Sequence, residues 1–444
     1  MTQIRYGMVG GGPGAFIGGV HRAAAAVDGG YELVSGSFSS DPAKSRQTGK
    51  QLGLDGDRVY SDFREMALVE ATREDGIEAV VIVTPNHLHY EVAKVFLEAG
   101  IHVICDKPLT TSVEDADELV RLTTERGLVF VVTYNYTGYP MIKEARERVS
   151  AGALGAIRKV VVEYSQGWLS TLLEAEGHKQ AEWRGDPERA GPSSALGDIG
   201  THAFNLMHYV TGLEVRRLFA DLGTVLEGRA LEDDAVVLLD LEDGVRGVMM
   251  VSQIATGERN HILLRVYGAD AALHWSQEDP DRLRMVDSGG TETVLFRGGD
   301  VGPHATRATR LPGGHPEGFI EAFANIYREA AAAIRGVDAV TGSSGVTPDF
   351  PTVQDGALGV DFIFRAIESG KYVIRSANNG IAAIVNPLGI VEEKINFKEV
   401  GYIDFTKMRK IQPTIFSKYG NKIFGLIILL YIFLIFSFNR IKNE

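Results

Sequence analysis

Short apolar segments separated by helix-length stretches fill the first third of the chain, and this alternation constrains the fold more than any other feature. Five segments are typical of β-strands: residues 4–9, 31–38, 79–83, 102–105 and 128–133. Parallel strands need crossover connections of helical length, so the alternation predicts an α/β fold with a doubly wound parallel sheet. We expect this Rossmann-type domain to occupy residues 1–135.

The middle of the chain follows a different pattern. Apolar runs recur without helix-length spacers between the later ones, at residues 158–164, 235–241, 247–253 and 261–268. This pattern predicts an open, mostly antiparallel sheet in an α+β domain. Helical patterns return at residues 317–334 and 353–367, and we expect these helices to pack on the sheets. The second domain is predicted to span residues 136–373.

Charge and cysteine content restrict the classes of function. The formal net charge is −13, which argues against a nucleic-acid partner because binding to a phosphate backbone needs a basic surface. A single cysteine excludes an intrachain disulfide framework and favours a reducing compartment. The first residues have the pattern of a strand rather than of an export signal. We therefore expect a cytoplasmic protein with a small-molecule substrate over residues 1–373.

The composition changes near Val373. Residues 374–444 are rich in Ile, Phe, Lys and Asn, and they carry ten Lys and Arg against five Asp and Glu. Residues 423–438 have no charge and are flanked by basic residues, a pattern that favours a transmembrane helix over a buried core helix. The tail thus looks foreign to the rest of the chain, and the full chain would be a single-pass membrane protein.

A glycine-dense turn follows the first predicted strand. Gly10, Gly12 and Gly18 could let backbone N–H groups approach a pyrophosphate at a helix N-terminus, although the third glycine comes three residues later than in the usual dinucleotide-binding motif. A bare structural turn is the alternative. The second strand ends near Ser39 rather than at an acid, so the choice between NAD and NADP stays open. Lys44 and Arg46 could accept a 2′-phosphate or simply be solvated.

Polar residues follow the next two strands. Thr84, Asn86 and His89 come after the strand at residues 79–83, and Asp106 and Lys107 follow the next strand. Ligands of doubly wound folds bind at the carboxyl edge of the sheet, so these side chains are candidates for a shared cleft. A capped loop and a solvated lysine are the structural alternatives.

Asp198 and His202 lie four residues apart, on one face if a helix starts there. Such a pair could bind a metal, but no other group of ligands has metal-site spacing, and we expect no metal.

Four ordered motifs carry a family resemblance. The glycine turn with Gly18 to His21, TPNHLH at 84–89, CDKP at 105–108 and LGDIGTHAFN at 196–205 resemble the Gfo/Idh/MocA family of oxidoreductases over residues 1–373. The resemblance implies a Rossmann domain, a C-terminal domain with an open sheet that often forms oligomers, and oxidation or reduction of a sugar, cyclitol or glycoside carbon with NAD or NADP. The family's Glu-Lys-Pro stands here as Asp106-Lys107-Pro108.

The resemblance also implies roles for individual residues. His202 would take the hydroxyl proton, Lys107 would stabilise the alkoxide, and Asp198 would contact the substrate or orient it. Lys107 as the base is the alternative assignment. Cofactor contacts would come from residues around the glycine turn and the strand ends: Gly10, Gly12, Gly18, Ser39, Thr84, Asn86, His89 and Asp106. Tyr134, Trp183 and Arg184 are candidates for the substrate pocket, or for core and surface positions.

The tail has its own resemblance. RSANNGIAAIVNPLGI, GYID and TIFSKYGNKI, followed by the final apolar stretch, look like the C-terminal end of bacterial apolipoprotein N-acyltransferase. The catalytic part of that enzyme is not represented, so no acyltransferase activity is expected. We interpret the join as a gene-prediction or assembly chimera. The alternatives are a genuine membrane-anchored dehydrogenase and, for the whole chain, a nucleotide-binding protein without turnover.

Overall fold

The computed structural model of the chain describes residues 2–336 and 349–369, together with three strands at 373–375, 382–385 and 391–395. The described chain divides into two compact units, residues 1–370 and 371–444. Within the first unit, two sheets are covered by helices.

The first sheet is the predicted parallel sheet. Its five strands are β1 (Ile4–Gly10), β2 (Tyr31–Ser37), β3 (Ala79–Val83), β4 (His102–Cys105) and β5 (Phe130–Val132), in the order β2-β1-β3-β4-β5. All of the pairings are parallel. All five residues of β3 are buried, as expected for a central strand covered on both faces. The doubly wound prediction is confirmed, and each predicted strand is present within three residues of its expected bounds.

Five helices connect and cover this sheet: α1 (Phe16–Val27), α2 (Pro42–Gln51), α3 (Phe63–Thr72), α4 (His89–Glu98) and α5 (Val113–Arg126). The sequence places their ends by ordinary capping chemistry. Asp41, Asp62 and Ser112 accept backbone N–H groups at the starts of α2, α3 and α5. Gly127 ends α5 with a φ of 63°, a left-handed conformation that glycine adopts without cost. These caps fix the lengths of the crossovers.

The second sheet has eight strands in the order β13-β12-β11-β10-β6-β9-β8-β7. Its strands are β6 (Ile157–Ser165), β7 (Val215–Gly223), β8 (Asp234–Leu241), β9 (Arg246–Ser252), β10 (His261–Gly268), β11 (Ala271–Ser276), β12 (Arg282–Asp287) and β13 (Glu292–Phe296). The sheet is mostly antiparallel, as predicted, but β6 and β9 pair in parallel, so it is mixed. β8 alternates between buried and outward residues, which leaves one face of the sheet uncovered.

The remaining helices cover one face of the second sheet or return to the first: α6 (Pro140–Ser150), α7 (Lys179–Arg184), α8 (Pro187–Ala190), α9 (Thr201–Thr211), α10 (Pro303–Ala308), α11 (Phe319–Ile334) and α12 (Val353–Ser369). Phe323 and Tyr327 of α11 pack in one core with Met8 of β1. Val360 of α12 shares a core with Val80 of β3. The chain therefore returns to the Rossmann sheet after building the second domain, which the predicted boundary at residue 135 did not anticipate.

The second unit contains an antiparallel sheet of β14 (Val373–Arg375), β15 (Ala382–Val385) and β16 (Val391–Ile395). The predicted transmembrane segment, residues 423–438, lies outside the described residues. In the part of the chain that the structure describes, no helix has both the length and the apolar character needed to cross a bilayer.

Candidate active site

The glycine turn lies between β1 and α1 and is packed too tightly for side chains. Gly10 and Gly11 have φ values of 87° and 71°, in the left-handed region. A Cβ on Gly12 would lie 2.7 Å from the carbonyl oxygen of Phe38, and one on Gly18 would lie 2.5 Å from Cα of Gly11. The bare backbone can thus approach a ligand closely, as a pyrophosphate site requires.

Helix α1 begins at Phe16. The delayed third glycine therefore lies inside the first turn of the helix, where it packs on the loop. The capping residue Ala15 has no side chain that could accept the first N–H groups of the helix. These donors and the positive end of the helix dipole fit a pyrophosphate. The turn that the sequence indicated thus has the shape and the donors for a dinucleotide.

The end of β2 presents hydroxyl groups rather than a free carboxylate. The Asp41 carboxylate accepts the N–H groups of Ala43 and Lys44 and so caps α2. The Ser39 hydroxyl accepts the N–H of Asp41 at 3.2 Å. Ser39 thus remains the candidate ribose contact from this strand.

We expect Gly18→Ala to weaken NAD⁺ binding by at least about tenfold, because the new methyl group must push the glycine loop away from the helix. Gly19→Ala is the matched control, since a Cβ at Gly19 meets nothing within 4 Å. This exposed helical position should tolerate alanine with unchanged affinity. Equilibrium titration of both variants, with melting curves on the same samples, tests the prediction. Equal affinities in the two variants would contradict it.

Of the three candidate residues after β3, one has an unpartnered hydroxyl, and the side chains of the other two contact backbone carbonyls. Oγ1 of Thr84 is buried and has no hydrogen-bond partner among the described residues. Asn86 donates to the carbonyl of Ala190 at 2.9 Å. His89 contacts the carbonyls of Pro108 at 2.7 Å through Nδ1 and of Thr84 at 3.0 Å through Nε2, and its burial lowers its pKa. Asn86 and His89 therefore tie the site loops together, and the Thr84 hydroxyl is a buried polar atom that could contact a cofactor.

Asp106 shapes the loop that carries the lysine. One of its carboxylate oxygens, Oδ1, accepts the N–H of Lys107 and the hydroxyl of Thr133, each at 3.0 Å. The next peptide, between Lys107 and Pro108, is cis. The shorter carboxylate at this position thus acts on the local backbone conformation, and it links the ends of β4 and β5.

Lys107 and Asp198 form the centre of the site. Nζ of Lys107 donates to Oδ1 and to the backbone carbonyl of Asp198, both at 2.6 Å, with side chains 12% and 17% exposed. The other carboxylate oxygen, Oδ2, accepts from Nε of Arg184 at 3.1 Å and from Nε2 of Gln253 at 2.9 Å. Burial alone would raise the pKa of Asp198, but the Arg184 and Lys107 charges outweigh it and hold that pKa well below its ordinary value.

His202 lies beside this pair in the first turn of α9. Its side chain is buried, and its Nδ1 has no hydrogen-bond partner among the described residues. The ring meets Tyr134, Tyr136 and Tyr164 edge-on, with centroid distances of 5.6, 5.0 and 6.3 Å. Burial first, and then the charge of Lys107, lower its pKa well below 6.5. The imidazole is therefore neutral at pH 7, the form that can accept a proton.

The segment that carries both residues is a π-helical turn that continues into α9. This turn, Leu196–Gly200, contains Asp198, so the predicted helix start is present in a wider form. Buried Glu232 fixes the start of this turn. Its Oε1 accepts hydrogen bonds from the Ser193 hydroxyl at 2.5 Å and from the N–H groups of Ser194 and Leu196 at 2.9 and 3.0 Å. Sequence reasoning missed Glu232 and Gln253, because neither lies within a local motif.

The three predicted substrate residues have different positions. Tyr134 is buried, and its hydroxyl bonds Thr201 at 2.8 Å, so it forms a wall behind His202. Arg184 reaches Asp198, and its guanidinium stacks 4.3 Å from the centre of the Trp183 ring. Arg184 and Trp183 thus border the site, whereas Tyr134 contributes to its core.

A polar network next to His202 was also missed by the motif search. The hydroxyl groups of Tyr136 and Tyr164 form a hydrogen bond of 2.5 Å. The Asn260 amide donates a hydrogen bond to the Tyr136 hydroxyl and accepts one from the Tyr164 hydroxyl. Gln166 donates to Asn260 and accepts from Trp168. These groups pair with one another and so hold the rings of Tyr136 and Tyr164 against His202.

The described residues contain no group of three or more His, Cys, Asp or Glu that could hold a metal. The single cysteine, Cys105, is buried in β4. Within this part of the chain, the polar chemistry of the site comes from lysine, carboxylate, histidine and amide groups.

Two family models match the chain. The model described as "Oxidoreductase family, NAD-binding Rossmann fold" covers residues 4–147, and "GFO/IDH/MocA C-terminal domain" covers residues 142–274. The chain belongs to the GFO/IDH/MocA family. It is accordingly an NAD(P)-dependent oxidoreductase, and the resemblance seen in the four motifs is confirmed.

Relatives of this family match most of the chain. The uncharacterized oxidoreductase YfiI of Bacillus subtilis is 35% identical, over 85% of this chain and 95% of its own length. An inositol dehydrogenase homolog from Azotobacter vinelandii, solved with NAD⁺, is 38% identical with a TM-score of 0.79, over 83% of this chain and 95% of that chain. The same homolog was also solved with NADH and myo-inositol, where the TM-score is 0.77 and the identity 37%.

A separate match concerns a short part of the chain. Apolipoprotein N-acyltransferase of Rickettsia bellii is 49% identical over 81 residues, which is 18% of this chain and 15% of that protein. The similarity to that enzyme is therefore partial and leaves most of the acyltransferase without a counterpart.

Proposed function

We propose that the enzyme oxidises a secondary hydroxyl of a cyclitol or a closely related sugar, with Lys107, Asp198 and His202 as its catalytic group. The observation that carries the proposal is the convergence of Lys107 on Asp198 beside a buried, neutral imidazole. The myo-inositol complex of the Azotobacter vinelandii homolog supports a polyhydroxylated substrate.

The bound nicotinamide would accept hydride from the carbinol carbon. In the mechanism we propose, His202 takes the hydroxyl proton and Lys107 stabilises the developing alkoxide by its charge. Asp198 orients the ammonium through its two contacts at 2.6 Å, and the charges of Arg184 and Lys107 outweigh burial and keep Asp198 ionised. Nζ of Lys107 is held by two acceptor atoms of Asp198, which supports a charge-stabilising role for Lys107 and leaves His202 as the base.

The cofactor would lie along the glycine turn, with its pyrophosphate at the start of α1. Gly10, Gly12 and Gly18 supply the close backbone approach, and the Thr84 hydroxyl is the unpartnered polar atom nearest the β3 edge. Ser39 would face the ribose, and Asp106 would keep the lysine loop in position for the nicotinamide end.

The test is nicotinamide absorbance of the purified protein with NAD⁺ and NADP⁺ against cyclitols, aldoses and glycosides. We expect turnover with a cyclitol that is lost in both Lys107→Ala and His202→Ala. Nucleotide binding without turnover on any compound would instead favour the binding protein that the sequence left as an alternative.

We expect kcat/KM for oxidation to stay constant through neutral pH and to fall only below pH ~6.5, the ordinary pKa of histidine. The pKa of His202 is lowered, so its neutral, proton-accepting form is already complete at pH 7 and is lost only as acid protonates the ring. Initial rates with saturating cofactor from pH 5 to 10 measure the profile. A rise that continues above pH 8 would instead indicate that Lys107 must lose its proton to act.

We propose that the uncovered face of the second sheet joins copies of the chain. Phe219, Leu238, Val236 and Met250 are 51%, 45%, 36% and 37% exposed, and they lie on adjoining strands β7, β8 and β9. The register places Phe219 opposite Leu238 and Val236 opposite Met250, so the four form one apolar patch.

Leu238→Asp should therefore convert the oligomer into monomers, because it places a charge at the centre of this patch. Leu68→Asp, at an exposed leucine of α3, is the matched control and should keep the oligomer. Light scattering after size-exclusion chromatography at equal concentrations measures both masses. A wild-type monomer would contradict the proposal.

We propose that residues 374–444 contribute nothing to the reaction and that the dehydrogenase acts in the cytoplasm. The composition change near Val373 and the partial acyltransferase match support a chimeric join. Sequencing reads that cross codons 365–385 in one intact frame would refute the chimera. If the frame is intact, sedimentation of the full chain with membranes would identify a membrane-anchored dehydrogenase.

A further inference from the structure

A second cavity lies at the opposite edge of the Rossmann sheet. It has a volume of about 300 Å³ and is bounded by α1, the start of β2, α10 and α11. Gly30, which lines it, accepts the N–H of Ile4 at the first residue of β1. Lys107 follows the carboxyl end of β4, so this cavity is separate from the catalytic cleft.

The cavity is lined mainly by apolar side chains, most of them small. Small side chains and two aromatic rings face the space: Ala24, Ala25, Ala324, Ala331, Ala332, Tyr31 and Tyr327. The two tyrosines are held in place, since the Tyr31 hydroxyl donates to the carbonyl of Tyr327 at 2.9 Å and their rings meet edge-on at 5.1 Å. Ligand pockets begin at about this volume.

Arg328 of α11 and Arg335, the residue that caps the end of this helix, supply positive charge to the cavity, and the ion pair of Arg328 with Glu329 is long. Arg328 and Arg335 are seven residues apart and lie on one helix face, about 10 Å apart along the axis. Nε of Arg328 is buried without a hydrogen-bond partner, and Glu329 lies 3.9 Å from it. Arg335 donates to the carbonyls of Thr2 and Gly30, and no carboxylate among the described residues lies within ion-pair distance of it.

The acids near the cavity are already engaged. Asp28 lines it but forms two hydrogen bonds with Arg310, and Glu329 accepts from Arg307 at 2.8 Å. Burial first, and then the charge of Arg310, lower the pKa of Arg328. The cavity therefore has an excess of guanidinium charge over carboxylate charge, which an anionic ligand would balance.

We propose that this cavity binds a small organic carboxylate with an apolar body, outside the catalytic cleft. The carboxylate faces Arg328, and the body covers the alanines between Arg328 and Arg335. The apolar lining disfavours inorganic phosphate, which would leave the alanine and tyrosine surfaces without a partner. Tyr327, which lines the cavity, also forms a hydrogen bond of 2.7 Å between its hydroxyl and Nδ1 of His21 in α1. A ligand in the cavity would therefore contact a residue that is bonded to the helix after the glycine turn.

Benzoate is the probe, with benzamide as its uncharged isostere and inorganic phosphate as an anion without an apolar body. Calorimetric titration of the full chain should show saturable benzoate binding that is at least about tenfold tighter than that of either comparison compound. Equal binding of phosphate and benzoate, or no saturation by benzoate at 20 mM, about twenty times a Kd of about 1 mM, would overturn the proposal.

Two variants locate the benzoate site. Arg328→Gln removes the charge, and Ala332→Leu fills the space without changing charge; each should weaken benzoate binding at least about tenfold. Arg121→Gln, on the exposed face of α5, is the matched control and should bind as the wild type does. Melting curves exclude unfolded samples. Unchanged affinity in both cavity variants would place benzoate elsewhere and refute the proposal.

Discussion

Replacing His202 by alanine is expected to lower kcat for polyol oxidation by about 10²–10⁴-fold, the range that a positioned general base supplies. Nucleotide affinity should change little, because the ring lies among Tyr134, Tyr136 and Tyr164 rather than at the glycine turn. The imidazole has an unpartnered buried nitrogen and a lowered pKa, so it is the neutral group available for the hydroxyl proton. Steady-state rates with NAD⁺ and a cyclitol measure the loss.

Added imidazole distinguishes a chemical role of His202 from a structural one. The variant leaves space beside the three tyrosines, and free imidazole can occupy it and restore part of the rate. His208→Ala is the matched control in the same helix, where the ring contacts the carbonyl of Leu213. We expect its kcat to be unchanged even if its melting temperature falls. A His202→Ala enzyme with nearly full activity would disprove the assigned role.

Replacing Lys107 by methionine is expected to lower kcat/KM by about 10²–10³-fold, a loss comparable to removing one donor from an oxyanion-stabilising site. Methionine keeps much of the length of the side chain but removes the charge. The stability loss should be smaller than for an unpaired buried ion, because Arg184 and Gln253 still contact Asp198. Rates and melting temperatures of the same sample separate the two effects.

A double variant tests whether Lys107 acts through its charge on the substrate or only by neutralising Asp198. Lys107→Met with Asp198→Asn removes both charges of the pair, so it should recover stability without recovering activity. Lys94→Met is the control, since Lys94 pairs with Glu118 at the surface of α4. Activity restored in the double variant would show that Lys107 serves only to balance the carboxylate.

The sequence predicted the fold class and named most of the residues of the candidate site, because both depend on local patterns. The β3 segment is apolar at every position and is buried on both faces, and the glycine turn lies between a strand and a helix as its composition indicates. Lys107 follows a predicted strand, and Asp198 and His202 share a short motif. The position of each residue relative to its own strand or helix could therefore be inferred without knowledge of the tertiary structure.

Other features depended on contacts between distant segments. Gln253 and Glu232 belong to no local motif. Gln253 nevertheless donates a hydrogen bond to Asp198, and Glu232 accepts one from Leu196 in the turn that contains Asp198. Asn86 and His89 remain predicted cofactor contacts, and the tertiary structure adds that Asn86 donates to the carbonyl of Ala190 and that the His89 ring contacts the carbonyls of Pro108 and Thr84. A side chain's neighbours across the fold decide such roles, and the sequence does not record them.

By itself, the sequence determined the alternation of strands and helices, the bare glycine turn and the residue types available for proton and hydride chemistry, since backbone preferences and hydrophobic period act over a few residues. The tertiary structure alone decided that Lys107 and Asp198, 91 positions apart, lie 2.6 Å from each other. It also decided that burial makes the nearby imidazole of His202 neutral at pH 7, because desolvation and charge interactions depend on distances in space rather than along the chain.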